Sequence, residues 1–166
     1  SNNLVLEQNK DYFDESTIPI VCDKVGRNIL KRRDGLIFMH STLQAKFARD
    51  MSMSFVQGYT VTYMAMQLAY HMGFTHVGLV GCDHSFATKG PSNAEVVSTE
   101  EDKSHFDPNY FGKGVNWHLP DLVGCEYYYN LALRNYLANE RSLVNCTVGG
   151  KLDLLPRVSL AEFVKS

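Results

Sequence analysis

Residues 58–86, GYTVTYMAMQLAYHMGFTHVGLVGCDHSF, constrain the fold of this chain more than any other stretch. The 3.6-residue apolar period over 60–72 predicts a helix that ends at Gly73. Residues 76–81 then have the length, β-branched content and glycine flanks of a buried parallel strand, and Asp83 follows directly. Ligands of parallel α/β sheets bind beyond the carboxyl ends of the strands, so Asp83 marks the expected ligand edge.

Apolar runs and turn residues predict further elements on both sides of this segment. Strands are predicted at 18–21, 36–40 and 142–147, and helices at 41–51, 120–139 and 159–164. The inner face of the 60–72 helix is expected at Val61, Met64, Leu68 and Met72. That of the 120–139 helix is expected at Leu122, Cys125, Tyr129, Ala132 and Tyr136. Alternating strands and helices predict an α/β fold whose mostly parallel sheet is covered on both faces.

Length and composition limit the organisation and the partners. The chain of 166 residues suits one domain over 1–166, and its polar opening without a glycine-rich nucleotide turn suggests the C-terminal part of a longer protein. A net charge of −2 argues against a nucleic-acid partner. No apolar run reaches the roughly 20 residues of a membrane span. Four cysteines without a CxxC pair predict reduced thiols in a cytoplasmic protein.

Asp83 and His84 are the first candidate site residues. A carboxylate at Asp83 can accept ribose hydroxyls, hold magnesium through water, or act as a base. His84 reaches the same ligand if the strand has already ended at that point. The alternative is an aspartate that only caps the loop after the strand.

The loop 84–119 lacks a long periodic element but is rich in aromatic residues, which is typical of a lid or a binding loop. Within SHFDPNYFGKG, His105 suits a general base and Asp107 could orient its ring. Asn109, Tyr110 and Lys113 add donors for phosphate or sugar oxygens. The alternative is an Asp-Pro turn with aromatic anchors. A metal held by these acids and histidines is not predicted, because the spacing of a metal motif is missing.

Glycines mark three further places where backbone could approach a ligand. Gly58, Thr60 and Thr62 open the 60–72 helix, where free amides could bind an anion, although Thr60 could equally be an ordinary N-cap. Gly81 is a small residue next to the predicted ligand edge. Gly149 and Gly150, followed by Lys151, could approach phosphate or form a plain turn.

Four segments together resemble a known family: 58–86, then HFDPNYFGKG, NWHLPDLVGCEYYYNLA and CTVGGKLDLLPRV. They look like proteins related to archaeal 6-hydroxymethylpterin diphosphokinase, a group that includes bacterial motility accessory factors tied to flagellin glycosylation. The similarity covers roughly 55–158 and is strongest to a branch associated with surface-polysaccharide genes. The helix, glycine and strand-to-Asp pattern is also similar to bacterial CMP-sialic-acid-dependent sialyltransferases.

The resemblance implies a Rossmann-like, three-layer fold and transfer of a sugar from a CMP- or UDP-linked donor to a glycan or small hydroxyl acceptor. It implies Asp83 at the nucleotide, His105 as base, and Tyr110 with Lys113 at the departing phosphate, with no tightly bound cofactor. One alternative is a magnesium-dependent ATP pyrophosphokinase, and another is a non-catalytic nucleotide- or glycan-binding module. A missing part of the site would expose apolar surface, which allows a homo-oligomer.

Overall fold

A computed structural model of the chain describes residues 3–85, 90–98 and 113–165. The chain divides into two compact units, Ser1–Phe74 and Thr75–Ser166. One domain over residues 1–166 therefore stays a prediction, and the two units are described in turn.

The first unit contains two short pairs of parallel strands. Strand β1 pairs with β2, with Ile20 opposite Leu36, and β3 pairs with β4, with Ser41 opposite Phe55. The predicted strands at 18–21 and 36–40 are thus present, whereas the two N-terminal helices were not predicted. The elements are α1 (Asn3–Gln8), α2 (Lys10–Glu15), β1 (Ile20–Asp23), a 3-10 helix (Lys24–Asn28), β2 (Leu36–Met39), β3 (Ser41–Thr42), β4 (Phe55–Val56) and α3 (Val61–His71).

Helix α3 has the predicted ends. Thr60 is its N-cap and accepts from the amide of Thr62 at 3.2 Å, and Gly73 follows its end with a φ of +90°. The predicted inner face is wrong at both ends of the helix, because Val61 and Met72 are each 64% exposed. The buried residues of the helix are Tyr63, Met66, Gln67 and Tyr70.

The predicted helix over 41–51 is wrong. Ser41–Thr42 is a strand, and the following backbone is held by the buried side chain of Gln67. Its Oε1 accepts from the amides of Ala48 and Val56 at 3.1 and 3.2 Å, and its Nε2 donates to the carbonyl of Val56 at 2.7 Å. A non-local partner therefore supplies hydrogen bonds that a helix would have supplied locally.

The second unit combines a parallel and an antiparallel pair of strands. Strand β5 pairs in parallel with β8, from His76 opposite Ser142 to Leu79 opposite Asn145. Strands β6 and β7 pair antiparallel, with Val96 opposite Trp117. The elements are β5 (His76–Leu79), β6 (Glu95–Val97), β7 (Asn116–His118), α4 (Leu122–Leu137), β8 (Ser142–Asn145) and α5 (Leu160–Phe163).

The predicted helices over 120–139 and 159–164 are present, and each begins one or two residues after its predicted start. Asp121 caps α4 by accepting from the amide of Gly124 at 2.8 Å, and Ser159 caps α5 in a reciprocal arrangement with Glu162. The inner stripe of α4 is confirmed, since four of its five predicted residues are buried: Cys125, Tyr129, Ala132 and Tyr136. This face packs against β8.

The antiparallel pair frames the aromatic loop. Ser98, just after β6, donates its amide to the carbonyl of Val115 at 3.0 Å and accepts from the amide of Gly114 at 2.8 Å. Residues 98 and 114 are therefore neighbours, and the chain between them starts and ends at one place.

The described residues thus form a mixed helix and strand structure with short, mostly parallel pairs, which confirms the α/β prediction at that level. No helix in the described ranges is long and apolar enough to cross a membrane.

Candidate functional site at the carboxyl ends of β5 and β8

The carboxyl ends of β5 and β8 lie side by side. The amide of Cys146 donates to the carbonyl of Leu79 at 2.7 Å, and the amide of Cys82 donates to Oγ1 of Thr147 at 3.0 Å. Because the strands are parallel, the residues that follow them emerge at the same edge. We call residues 80–84 and 146–151 the carboxyl edge of the second unit.

Gly150 lies against the backbone of Asp83 at this edge. The amide of Lys151 donates to the carbonyl of Asp83 at 2.7 Å, and a Cβ atom at Gly150 would lie 2.7 Å from the Asp83 carbonyl oxygen and 2.8 Å from its Cα. The φ of Gly150 is +75°, which other residues rarely adopt. Only glycine fits, so the two loops are held together while Asp83 and Lys151 remain exposed.

Arg157 fixes the loop 147–151 from one side. Its guanidinium donates to the carbonyls of Thr147, Gly149 and Gly150 at 3.3, 2.8 and 3.2 Å. Asp153 orients Arg157 by accepting from its Nε at 2.9 Å.

In a trans peptide unit, the N–H group points in the direction opposite to the C=O group of the same unit. The amides of Val148 and Gly150 therefore point to the side opposite Arg157, where no described residue accepts from them. The amide of Lys151 points to the same side and reaches Asp83. The loop thus presents backbone donors beside an exposed carboxylate.

Asn145 anchors the base of this loop from inside the unit. Its side chain is buried, donates to the carbonyl of Leu152 at 2.9 Å and accepts from the amide of Thr147 at 3.0 Å. With Arg157 bonded to its carbonyls and Asn145 anchoring its base, the loop has a defined conformation before any ligand binds.

His84 is held in an unusual conformation next to Asp83. Its φ is +51°, a left-handed value uncommon for residues other than glycine. Its side chain is only 7% exposed, its Nε2 lies 3.1 Å from Oε1 of Glu126, and its ring centroid lies 5.9 Å from that of Tyr129. Helix α4 therefore supplies both residues that fix the imidazole.

Glu126 also lines an open groove of about 440 Å³ on α4. Tyr127, Asn130 and Arg134 line the same groove, and Leu154 closes one side. An aromatic ring together with amide, carboxylate and guanidinium groups suits a ligand that carries many hydroxyls.

The structure brings some predicted site residues together. Asp83, Gly81 and His84 lie at the carboxyl edge, with 149–151 beside them, and Gly81 has a φ of +74°. Lys113 lies in the exposed turn before β7, and no described contact joins it to this edge. His105, Asp107, Asn109 and Tyr110 lie outside the described residues, so their predicted roles stay predictions.

The helix start at Gly58, Thr60 and Thr62 belongs to the first unit. Gly58 and Tyr59 have φ values of +59° and +62°, which turn the chain sharply into the N-cap. The amide of Thr62 is already bonded by Thr60. The geometry is that of a capped helix start, and anion binding there stays a prediction.

A second polar cluster lies at the strand ends of the first unit. Asp23 ends β1 and is buried, with the amide of Val25 at 2.9 Å and Nε2 of Gln57 at 3.2 Å from its carboxylate oxygens. Burial raises the pKa of Asp23, but hydrogen bonds from Ser41, Val25 and Gln57 outweigh burial and hold that pKa below its usual value. The carboxylate is thus charged and internally bonded.

Three of the four cysteines are buried: Cys22, Cys125 and Cys146. None of the four forms a disulfide, and burial raises the pKa values of Cys22 and Cys146. Burial, with Asp121 and Glu126 nearby, raises the pKa of Cys125 to about 11. In the described part of the chain, no three His, Cys, Asp or Glu side chains gather as metal ligands would.

Sequence reasoning missed Glu126 and the structural roles of Asn145 and Arg157. Glu126 adjoins the inner stripe of α4, but its partner His84 is 42 positions away, so no local pattern links them. Arg157 lies in the segment CTVGGKLDLLPRV that carries the resemblance, and that segment was the available signal.

The comparisons with known proteins add no relative. No protein-family model, curated protein or solved structure matches the chain.

Proposed function

We propose that this protein binds a nucleotide-linked donor at the carboxyl edge of its second unit and transfers the sugar to a hydroxyl acceptor. One observation carries the proposal: at the ends of two parallel strands, the backbone of the exposed Asp83 packs on Gly150, and no described residue accepts from the amides of Val148 and Gly150. A carboxylate accepts ribose hydroxyls, and a nearby turn of amides binds phosphate.

The proposal includes a Rossmann-like fold and a cytoplasmic location. Parallel pairing of β5 with β8 and packing of α4 on β8 support a Rossmann-like, three-layer sandwich. The resemblance to 6-hydroxymethylpterin diphosphokinase-like proteins and to sialyltransferases is consistent with this fold. Four cysteines that form no disulfide support a cytoplasmic setting.

In the transfer, negative charge develops on the phosphate that leaves the sugar. Preorganised donors stabilise such charge most when they cost no rearrangement. Arg157 and Asn145 hold the loop 147–151 in position, so its amides and Lys151 suit this task. The resemblance adds His105 as the base and Tyr110 with Lys113 as phosphate contacts.

The groove on α4 supports a sugar or another polyhydroxyl compound as acceptor. It is open, holds about 440 Å³, and begins at Glu126, the partner of His84. Tyr127 offers an aromatic face, and Asn130 and Arg134 offer hydrogen bonds to hydroxyls.

A nucleotide panel tests the proposal. CMP- and UDP-linked sugars should raise the melting temperature in the presence of EDTA, and Asp83→Asn should weaken their binding about tenfold, as expected for one hydrogen bond to a charged group. Asp34→Asn, another exposed aspartate, should leave binding unchanged. Absence of stabilisation by any nucleotide would overturn the proposal.

The second candidate is a magnesium-dependent pyrophosphokinase. The exposed Asp83 carboxylate beside a phosphate loop favours it, because magnesium is held by few carboxylates together with substrate phosphates. In that case ATP should stabilise the protein only with magnesium. A binding module without catalysis would bind nucleotide but give no turnover, in wild type or in His105→Ala.

A further inference from the structure

We propose that His84, positioned by Glu126, is the proton acceptor of the transfer reaction, a role that the resemblance gives to His105. The inference rests on the proposed function for its substrates. The tautomer of His84, which the carboxylate of Glu126 sets, depends only on the observed contact between the two side chains.

The hydrogen-bond partner of His84 sets the position of its proton. The carboxylate of Glu126 is an acceptor, so Nε2 of His84, 3.1 Å away, carries the hydrogen and donates it. The neutral ring then leaves its lone pair on Nδ1, the nitrogen that can take a proton.

Nδ1 is available for that purpose. No described group forms a hydrogen bond with it. The side chain of His84 keeps 7% exposure, so the ring is not fully enclosed. A mostly buried ring with one nitrogen held by a carboxylate and the other without a described partner is the arrangement expected of a positioned base.

The backbone of His84 supports a functional role. A left-handed conformation is uncommon in a residue other than glycine, and such strain is found preferentially at functional sites. Here the conformation places His84 immediately after the exposed Asp83, with its ring between Glu126 and Tyr129.

The chemical step balances with these groups. The acceptor hydroxyl oxygen forms a bond to the anomeric carbon of the donor sugar, and the bond from that carbon to the phosphate oxygen breaks with its electron pair. The hydroxyl proton passes to Nδ1 of His84. The resulting imidazolium is stabilised by the carboxylate of Glu126, which acts as a positioning residue.

Histidine ring NMR tests the geometry without any substrate. At a pH of about 9, where unperturbed imidazoles are neutral, long-range proton–nitrogen spectra of the wild type should show His84 with its hydrogen on Nε2. In Glu126→Gln the amide can donate or accept, so that preference should be lost, whereas Glu140→Gln should leave it unchanged. A wild-type His84 with its hydrogen on Nδ1 would overturn the proposal.

Turnover of a donor that binds tests the chemistry. His84→Asn removes the imidazole but suits a left-handed backbone, so the fold should persist. It should lower kcat by about 10²-fold or more with donor affinity unchanged, and Glu126→Gln should lower kcat less, with the KM of the donor unchanged. Loss of turnover in His105→Ala but not in His84→Asn would return the role to His105. Failure of every nucleotide to bind would overturn the proposed function and this catalytic role, whatever the tautomer.

Discussion

The two units carry similar strand ends that use their polar residues in opposite ways. In the first unit, Asp23 ends β1 in a buried position and is bonded by Val25 and Gln57. In the second, Asp83 follows β5 in an exposed position beside the outward amides of the loop 147–151. The first aspartate is used by the fold, and the second is left available to a ligand.

This difference shows that position at a strand end does not by itself make a binding site. The carboxyl edge of the second unit differs in its backbone. Gly150 packs on Asp83, and Arg157 bonds three carbonyls on one side of the loop 147–151. The side chains and amides of the first edge satisfy each other. Four measurements test this difference between the strand ends of the two units.

The largest effect is expected at Gln67, which holds the first unit together. Gln67→Leu leaves the amides of Ala48 and Val56 and one carbonyl without partners, so the free energy of unfolding should fall by about 3–4 kcal/mol. Urea denaturation measures this. The exposed Gln44→Leu is the matched control and should change stability by less than about 0.5 kcal/mol.

The next largest loss of stability is expected from alanine at one of two adjacent glycines in the carboxyl edge of the second unit. Gly150→Ala should lower stability by about 2–3 kcal/mol, because its Cβ meets the backbone of Asp83. Gly149 has a similar φ of +74°, but a Cβ atom there would meet no other atom within 4 Å. Gly149→Ala should therefore lower stability by only about 1 kcal/mol. Thermal unfolding of both variants checks this, and equal losses would show that the contact with Asp83 is unimportant.

A smaller effect depends on pH and concerns Asp23. Its pKa is lower in the folded state, so its contribution to stability is present at neutral pH and is lost as pH falls below the usual carboxyl range. Asp23→Asn should therefore cost about 1.5 kcal/mol at pH 7 and flatten the loss of stability on acidification. Urea titrations across the acid range measure it, and a wild-type acid dependence retained by the variant would contradict the assignment.

The smallest effect leaves stability unchanged and compares thiols. Cys82, half-buried at the second edge, should be alkylated first, because Cys22, Cys125 and Cys146 are buried and have raised pKa values. Mass spectrometry after brief iodoacetamide treatment should find one label, absent in Cys82→Ser. First labelling of Cys22 would mean that the first unit opens more readily than the second.

Local signals predicted both ends of α3 and placed the starts of α4 and α5 within two residues. The caps Thr60, Asp121 and Ser159 and the stop at Gly73 all act within a few residues, so the sequence contains the whole interaction. The inner stripe of α4 was predictable for the same reason, because its apolar period is regular.

Long-range partners explain what was missed. The sequence presents Gln67 as a polar surface residue, yet it is buried because it bonds backbone about 11 and 19 positions away. The hydrogen bonds of Gln67 also explain why 41–51 is not a helix and why the buried face of α3 includes Gln67. At the candidate site, Asp83 was predictable from the end of a strand, whereas the pairing of His84 with Glu126 joins a residue that follows β5 to a helix 42 positions away.

The adjacency of residues 98 and 114 has a consequence for how such a chain can change. Two backbone hydrogen bonds tie these positions together, so residues 98 and 114 stay side by side. The entropy of closing a loop rises slowly with its length. A stretch of another length or composition could therefore connect these two positions while β6 and β7 keep their register.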